Sequence, residues 1–381
     1  MKKIKLLWFL VLIFALTGCD LVDLTPNQLL NETQVPITPM VSSTGSTFYL
    51  TSSGQVWGVG RNEVGQLGIG TQTTKELNPV LVGEGIRYVS MGIQQSYFIK
   101  TDGTLWGSGK NEAGVLGNAD TTNQPTPVFI ASDVVLVDTG EYFTAYVTSS
   151  GELWTMGYNE SGQLADNTQV SRWLPKKVFE NVKDISLGYS HMLILTNGNE
   201  VWAVGKNNFG QLGTSNTTNQ LLPVKIAEDV LAIAAGAEHS LVLFNDGTLY
   251  STGYNFYGQL GISGSNYSNK SSLTLVTNNV TAISAGVYHS LFTKATGDLL
   301  GMGSNDSAQL RGTSFAKYVS PTVVHYLSWQ NYDTFFAGSS QTFFLTDDDR
   351  VFALGLNSVG QLGDGTTTWR TESTEVFLDL F

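Results

Sequence analysis

A chain of 381 residues, 41% hydrophobic and only 14% charged, carries enough apolar surface for a packed core, which excludes a disordered, solvating polymer. Its formal net charge of −12, with no Lys/Arg cluster after Lys5, repels phosphate backbones, so nucleic-acid binding is not expected. A single cysteine excludes a disulfide framework.

The chain opens with Lys2, Lys3 and Lys5 and then an apolar run over residues 6–16. That run is too short to span a bilayer comfortably but has the form of a secretory signal. It ends in Leu16-Thr17-Gly18-Cys19, which resembles a bacterial lipobox. Residues 1–18 are therefore expected to be a cleaved lipoprotein signal peptide and Cys19 the lipidated residue, with several acyl chains making the anchor stable. Cleavage removes three lysines and no acid, taking the charge from −12 to about −15. The polar segment through residue 35 reads as a tether holding a folded head off the extracytoplasmic face of the bacterial membrane.

From residue 36 to 381 the sequence repeats itself. The phrase Gly-x-Asn-x-x-Gly-Gln-Leu-Gly recurs seven times, in full in four copies and with departures such as Val115, Ala308 and Arg311 in the others, beginning at Gly60, Gly109, Gly157, Gly205, Gly253, Gly303 and Gly355, at intervals of 48 to 52 residues. A strand-rich period near fifty with dense turn residues marks small sheets arrayed around an axis. In each copy a short apolar strand, such as residues 240–244, leads through a tight turn such as Asp246-Gly247 into a partner strand. The turn column holds Gly54, Gly103, Gly151, Asn199, Gly247, Gly297 and Asp349, all residues that tolerate a positive φ. Leucine fills one column without exception, Leu67 to Leu362, and should pack between sheets; asparagine fills another, Asn62 to Asn357, and should hold a loop through its amide. A Pro-x-Val strand, as at Pro127-Val128, gives four strands per repeat. The fold expected is all-β, a seven-bladed propeller of four-stranded blades. The first copy lacks a preceding Pro-x-Val strand and residues 375–381 resemble one, so the N- and C-terminal strands are expected to share one blade and close the ring.

The segment Ile233-Ala234-Ala235-Gly236-Ala237-Glu238-His239-Ser240-Leu241, together with the seven phrases, resembles the regulator of chromosome condensation repeat family. The resemblance covers residues 36–381 and implies a seven-bladed propeller. It does not imply one activity: the family includes a nucleotide-exchange factor for a nuclear GTPase, light sensors, ubiquitin-ligase modules and a β-lactamase inhibitor. The intervals here leave no room for the wedge insertion that the exchange factor uses, which makes exchange activity the least favoured reading.

Chemistry-bearing residues mostly have structural readings. His191, His239 and His289 share a column on successive blades, too far apart for one metal, and are expected to hydrogen-bond inside their own blades. Trp57, Trp106, Trp154 and Trp202 occupy a packing column that also takes Tyr250, Leu300 and Phe352. Asp347-Asp348-Asp349 and Asp364-Gly365 lack the spacing of a calcium loop. No metal, no cofactor and no catalytic group is therefore assigned. The variable positions inside the repeated phrase are the binding candidates: Arg61, Lys110, Tyr158, Lys206 and Tyr254, one per blade, with Phe209, Phe256 and Tyr257 beside them and Trp173 and Trp369 in the polar loops. Exposed aromatics among cations suit contact with a protein or a surface glycan. The sequence thus points to a membrane-anchored, non-enzymatic binding scaffold; a glycan-active enzyme with a site at the propeller axis is the alternative.

Overall fold

The computed structural model describes residues 37–41, 45–262, 267–312, 317–325, 332–346 and 350–376. The expected signal peptide, Cys19 and the expected tether, together with Asp347 to Asp349 and the last five residues, lie outside the described residues.

Seven four-stranded antiparallel sheets account for all the described strands. Their innermost strands are Ile37–Val41, Ile86–Met91, Val134–Thr139, Val182–Leu187, Val230–Ala235, Val280–Ala285 and Tyr332–Ala337. Each touches the next in that order, and the last touches the first, so the blades form a closed ring. This is a seven-bladed β-propeller.

The turn column behaves as its residue types require. Gly54, Gly103, Gly151, Asn199, Gly247 and Gly297 all have φ between 58° and 86°. All seven column leucines are buried. Each column asparagine accepts a hydrogen bond at Oδ1 from the N–H of the leucine five residues on, at 2.7–3.1 Å, and the amide groups of Asn62, Asn111, Asn159, Asn207, Asn305 and Asn357 donate to carbonyls further round the same loop. The core lies between the sheets. At the last seam Phe343, Leu345 and Leu362 of blade 7 pack with Tyr49 and Val59 of blade 1.

Two expectations are corrected. Among the described residues no blade is shared between the termini. Ile37–Val41 joins Ser46–Thr51, Val56–Arg61 and Lys75–Gly83, while Arg370–Glu375 belongs to the sheet begun by Tyr332–Ala337. The Pro-x-Val strand follows its hairpin rather than preceding it, so the first copy lacks nothing and each blade is contiguous in sequence. Closure comes instead from packing and from two buried bonds: Thr47 Oγ1 donates to Gln361 O at 2.5 Å and Tyr49 hydroxyl to Leu362 O at 2.9 Å.

The histidines also bond differently from expectation. His191 Nε2 meets Ser240 Oγ at 3.0 Å and His239 Nε2 meets Ser290 Oγ at 2.8 Å, each across the seam to the following blade. The column that receives them already belongs to an inter-blade latch, because Ser240, Ser290 and Thr342 donate to the carbonyls of Gln211, Gln259 and Gln309 on the preceding blade.

Candidate functional site

The candidate side chains gather on one face because of a single backbone device. The first glycine of each phrase ends the hairpin with a positive φ; at Gly157 φ is 104°, and a Cβ there would stand 2.5 Å from Tyr142 O. The next residue then donates its N–H to the turn that precedes the second strand of the same blade. Arg61 bonds Gly45 O, Lys110 bonds Gln94 O, Tyr158 bonds Tyr142 O, Lys206 bonds Ser190 O and Tyr254 bonds Glu238 O, at 2.8–3.1 Å. Two variable positions per blade are thereby set side by side.

On blades 2 to 4 this produces an open pocket of about 560 Å³, lined by Lys110, Glu112, Glu141, Tyr142, Tyr158, Trp173 and Tyr189 among others. Tyr142 and Tyr158 meet edge-to-face with ring centroids 6.5 Å apart. Lys110 Nζ lies 5.6 Å from the Tyr142 ring centroid and 3.2 Å from Glu112 Oε2. Trp173 is 54% exposed and leans on the neighbouring phrase, where a Cβ at Gly114 would stand 2.5 Å from its Cδ1. Burial, then the Glu141 carboxylate, raises the Tyr142 pKa; burial, then the neighbouring tyrosines and acids, raises that of Tyr189.

The face continues onto blades 4 to 6 as a connected aromatic cluster. Tyr254 has Phe209 at 4.8 Å and Phe256, Tyr257 and Tyr288 at 6.3 Å between centroids. Lys317 Nζ caps it 3.6 Å from the Phe256 centroid. Lys206 pairs with Glu238 at 2.7 Å, and Gln211 Nε2 donates to the other oxygen of that acid at 2.8 Å.

Of the sequence candidates, the structure brings Lys110, Tyr158 and Trp173 into the pocket and Lys206, Phe209, Tyr254, Phe256 and Tyr257 into the adjoining cluster. Arg61 is half-buried, its Nε shielded from solvent, and it lies outside both the pocket lining and the aromatic cluster. Trp369, 41% exposed on blade 7, makes no ring contact with the others among the described residues. Sequence reasoning missed Glu141, Tyr142, Tyr189, Glu238 and Tyr288. They occupy the two positions after Gly140, Gly188, Gly236 and Gly286, a variable pair inside an otherwise regular repeat.

The axis offers a smaller cavity of about 160 Å³, lined mainly by small residues, with Asp138 the one carboxylate among its described lining. Asp138 accepts from Leu187 N and Thr139 N at 2.8 Å and from Ser90 Oγ at 3.3 Å, and burial pushes its pKa up to about 7. These bonds tie three blades together. Among the described residues no group of three His, Cys, Asp or Glu side chains could hold a metal ion. Asp364 is engaged by Arg370 Nε at 2.8 Å and Asn357 Nδ2 at 2.9 Å.

The profile of the RCC1-like domain family matches residues 16–330. No curated protein matches the sequence. Among solved structures, human WBSCR16 is similar with a TM-score of 0.77 at 19% identity, covering 85% of this chain and 94% of its own. Prp20p from Saccharomyces cerevisiae, described with its binding properties to Gsp1p and histones, superposes with a TM-score of 0.76 at 20% identity over 87% of this chain and 88% of its own. The CRINKLY WD40 ectodomain of the Arabidopsis thaliana receptor kinase ACR4 superposes more loosely, with a TM-score of 0.51 at 11% identity over 91% of this chain and all of its own.

Proposed function

The chain belongs to the RCC1-like domain family, and from that premise we propose that it is a non-enzymatic binding scaffold that recognises a partner protein through the Gly-x-Asn face of blades 2 to 6. One observation carries this reading: side chains that vary between repeats, on five successive blades, form an open pocket and a continuous aromatic cluster. Aromatic anchors with satisfied polar neighbours are the composition of protein contact surfaces. That the similar Prp20p is described as binding Gsp1p and histones agrees with a protein partner.

The axial cavity supports the choice of binding over catalysis. Its one described carboxylate accepts three hydrogen bonds, two of them from neighbouring blades, and no second acid stands beside it among the described lining to divide acid and base roles. A surface glycan is the second class of ligand, since aromatic platforms suit sugars as well. We place the scaffold outside the cytoplasmic membrane of a bacterium, held by lipid on Cys19, because residues 1–19 carry the charge, apolar run and cysteine of a lipoprotein signal.

The test is affinity capture from cell-surface extracts with the wild-type protein and with Tyr158→Ala and Tyr254→Ala variants. A partner retained by the wild type and lost from the variants upholds the reading. Release of sugars or peptides with no retained partner overturns it. Radiolabelled fatty acid should enter the wild-type chain and not Cys19→Ser.

A further inference from the structure

We infer that the pocket between blades 2 and 4 takes the side chain of an arginine presented by an exposed segment of the partner protein. The inference rests on the reading of this face as a binding surface and names its ligand chemistry. Four aromatic rings, Tyr142, Tyr158, Trp173 and Tyr189, line the cavity together with two carboxylates, Glu112 and Glu141. A planar guanidinium stacks on aromatic faces while donating to a carboxylate, which matches that combination.

Charge decides between ligand classes. Lys110 is matched by Glu112 at 3.2 Å and Lys206 by Glu238 at 2.7 Å. Glu141 has no cation within ion-pair distance among the described residues, and its own backbone is held from both sides. Its N–H donates to Tyr189 O at 3.1 Å, and its carbonyl accepts from Gln95 Nε2 at 3.3 Å. The local balance is therefore one uncompensated negative charge on a rigid turn, in a chain whose overall charge is −12.

Part of the neutral polar lining is already engaged. Gln95 Oε1 accepts from Gln94 N, and its Nε2 also serves Thr139 Oγ1 and Gly140 O. Ser171 Oγ accepts from Asn159 N, and Gln163 Oε1 from Ser161 N. What the pocket offers a cation is aromatic faces and the Glu141 carboxylate, which shares one side-chain hydrogen bond with Tyr142 and has a second oxygen.

The experiment measures fluorescence anisotropy of labelled Gly/Ser peptides carrying two arginines, against the same peptides with citrulline, and of labelled chitotetraose, on the full chain at physiological salt. Binding of the arginine peptide is expected, with at least about a tenfold loss for citrulline, which keeps the shape and removes the charge. Glu141→Gln and Tyr158→Ala should each weaken the arginine peptide by about tenfold, while Glu84→Gln, on the blade edge away from the pocket, leaves it unchanged. Thermal melting verifies that each variant is folded. Equal affinity for citrulline, indifference to Glu141→Gln, or binding of chitotetraose in place of arginine overturns the inference. If a partner protein is captured through Tyr254 while the arginine peptide fails to bind, the inference falls and the scaffold reading survives.

Discussion

His239 Nε2 stands 2.8 Å from Ser290 Oγ, across the seam between two blades. Ser290 has one hydroxyl proton and gives it to Gln259 O at 2.9 Å. The serine must therefore accept from histidine, which puts the imidazole proton on Nε2. His191 and Ser240 repeat the arrangement one blade earlier, with Ser240 donating to Gln211 O. Histidine here is a seam fastener, a neutral donor that completes a chain reaching back to the preceding blade.

Removing that donor should cost more than an ordinary surface change. His239→Ala deletes a fully buried ring and its bond, and should destabilise by about 2–4 kcal/mol. His239→Gln should cost less, because Gln95 and Gln341 occupy the same column and are themselves buried. Urea unfolding midpoints of the two variants provide the comparison, and equal losses would argue against the donor role.

The same residues predict the pH dependence. Burial pushes the pKa of His191 and His239 down to about 3 and that of His289 to about 4. Unfolded, they titrate near ~6.5. Between those values the unfolded chain binds protons that the fold refuses. The histidine contribution is therefore full above pH ~6.5 and falls as the pH drops toward 4, by about 4 kcal/mol per unit for three sites. Asp138 acts with the opposite sign. Its pKa is raised to about 7, so the fold keeps a proton the unfolded chain has released, and its contribution is present below pH ~4 and lost as the pH rises to 7. It cancels about a third of the histidine slope. Asp138→Asn should steepen the fall in stability between pH 6.5 and 4.5 by about 1.4 kcal/mol per unit, read from urea midpoints at successive pH values.

Why the sequence revealed the propeller but not its phase follows from the repeat itself. Leu67 to Leu362, Asn62 to Asn357 and the positive-φ turn residues recur in register, and each column states a local requirement that the structure meets. A period can be cut anywhere, however. Nothing in a column says that Lys75–Gly83 pairs with Val56–Arg61 before it rather than with Ile86–Met91 after it, so the strand-sharing expectation failed although the blade count held. The histidine bonds were misplaced for a related reason: comparing equivalent positions aligns blades without showing which side chains meet at a seam. At the site, Lys110 and Tyr158 were legible because they vary inside a fixed phrase. Glu141, Tyr142 and Tyr189 were not, because the bond from Tyr158 N to Tyr142 O that brings the two variable positions together is a tertiary fact.

Glycines of the inner turns and of the outermost strands should divide sharply in their tolerance of a methyl group. At Gly188 a Cβ would stand 2.1 Å from His191 Cε1 and 2.4 Å from Gly236 O on the next blade, so the inner turns approach too closely for any side chain. Gly188→Ala should cost about 3 kcal/mol or more, or prevent folding. At Gly83 a Cβ meets nothing within 4 Å, and its φ is not positive. Gly83→Ala should be neutral or stabilise by up to about 1 kcal/mol. Thermal melting of the pair is the measurement; similar losses would mean the inner ring is looser than these distances require.

The closing seam differs from the other six in having no covalent link between its blades, and that makes its polar bonds locally decisive. Thr47 Oγ1 donates to Gln361 O between blades 1 and 7, and Ser96 Oγ makes the equivalent bond to Gln66 O at 2.6 Å between blades 1 and 2. Thr47→Val and Ser96→Ala each leave a buried carbonyl short of a donor and should cost about 1–2 kcal/mol globally. Their local effects should differ. Blades 1 and 2 stay tethered by the chain, whereas blades 1 and 7 can part by side-chain separation alone. Amide exchange should therefore accelerate in Ser46–Thr51 and Gln341–Thr346 for Thr47→Val, with no such focus in Ser96→Ala. Equal, diffuse acceleration in both variants would show that the ring opens at no preferred seam, and the packing of Tyr49 against Phe343 and Leu362 would then suffice to hold it.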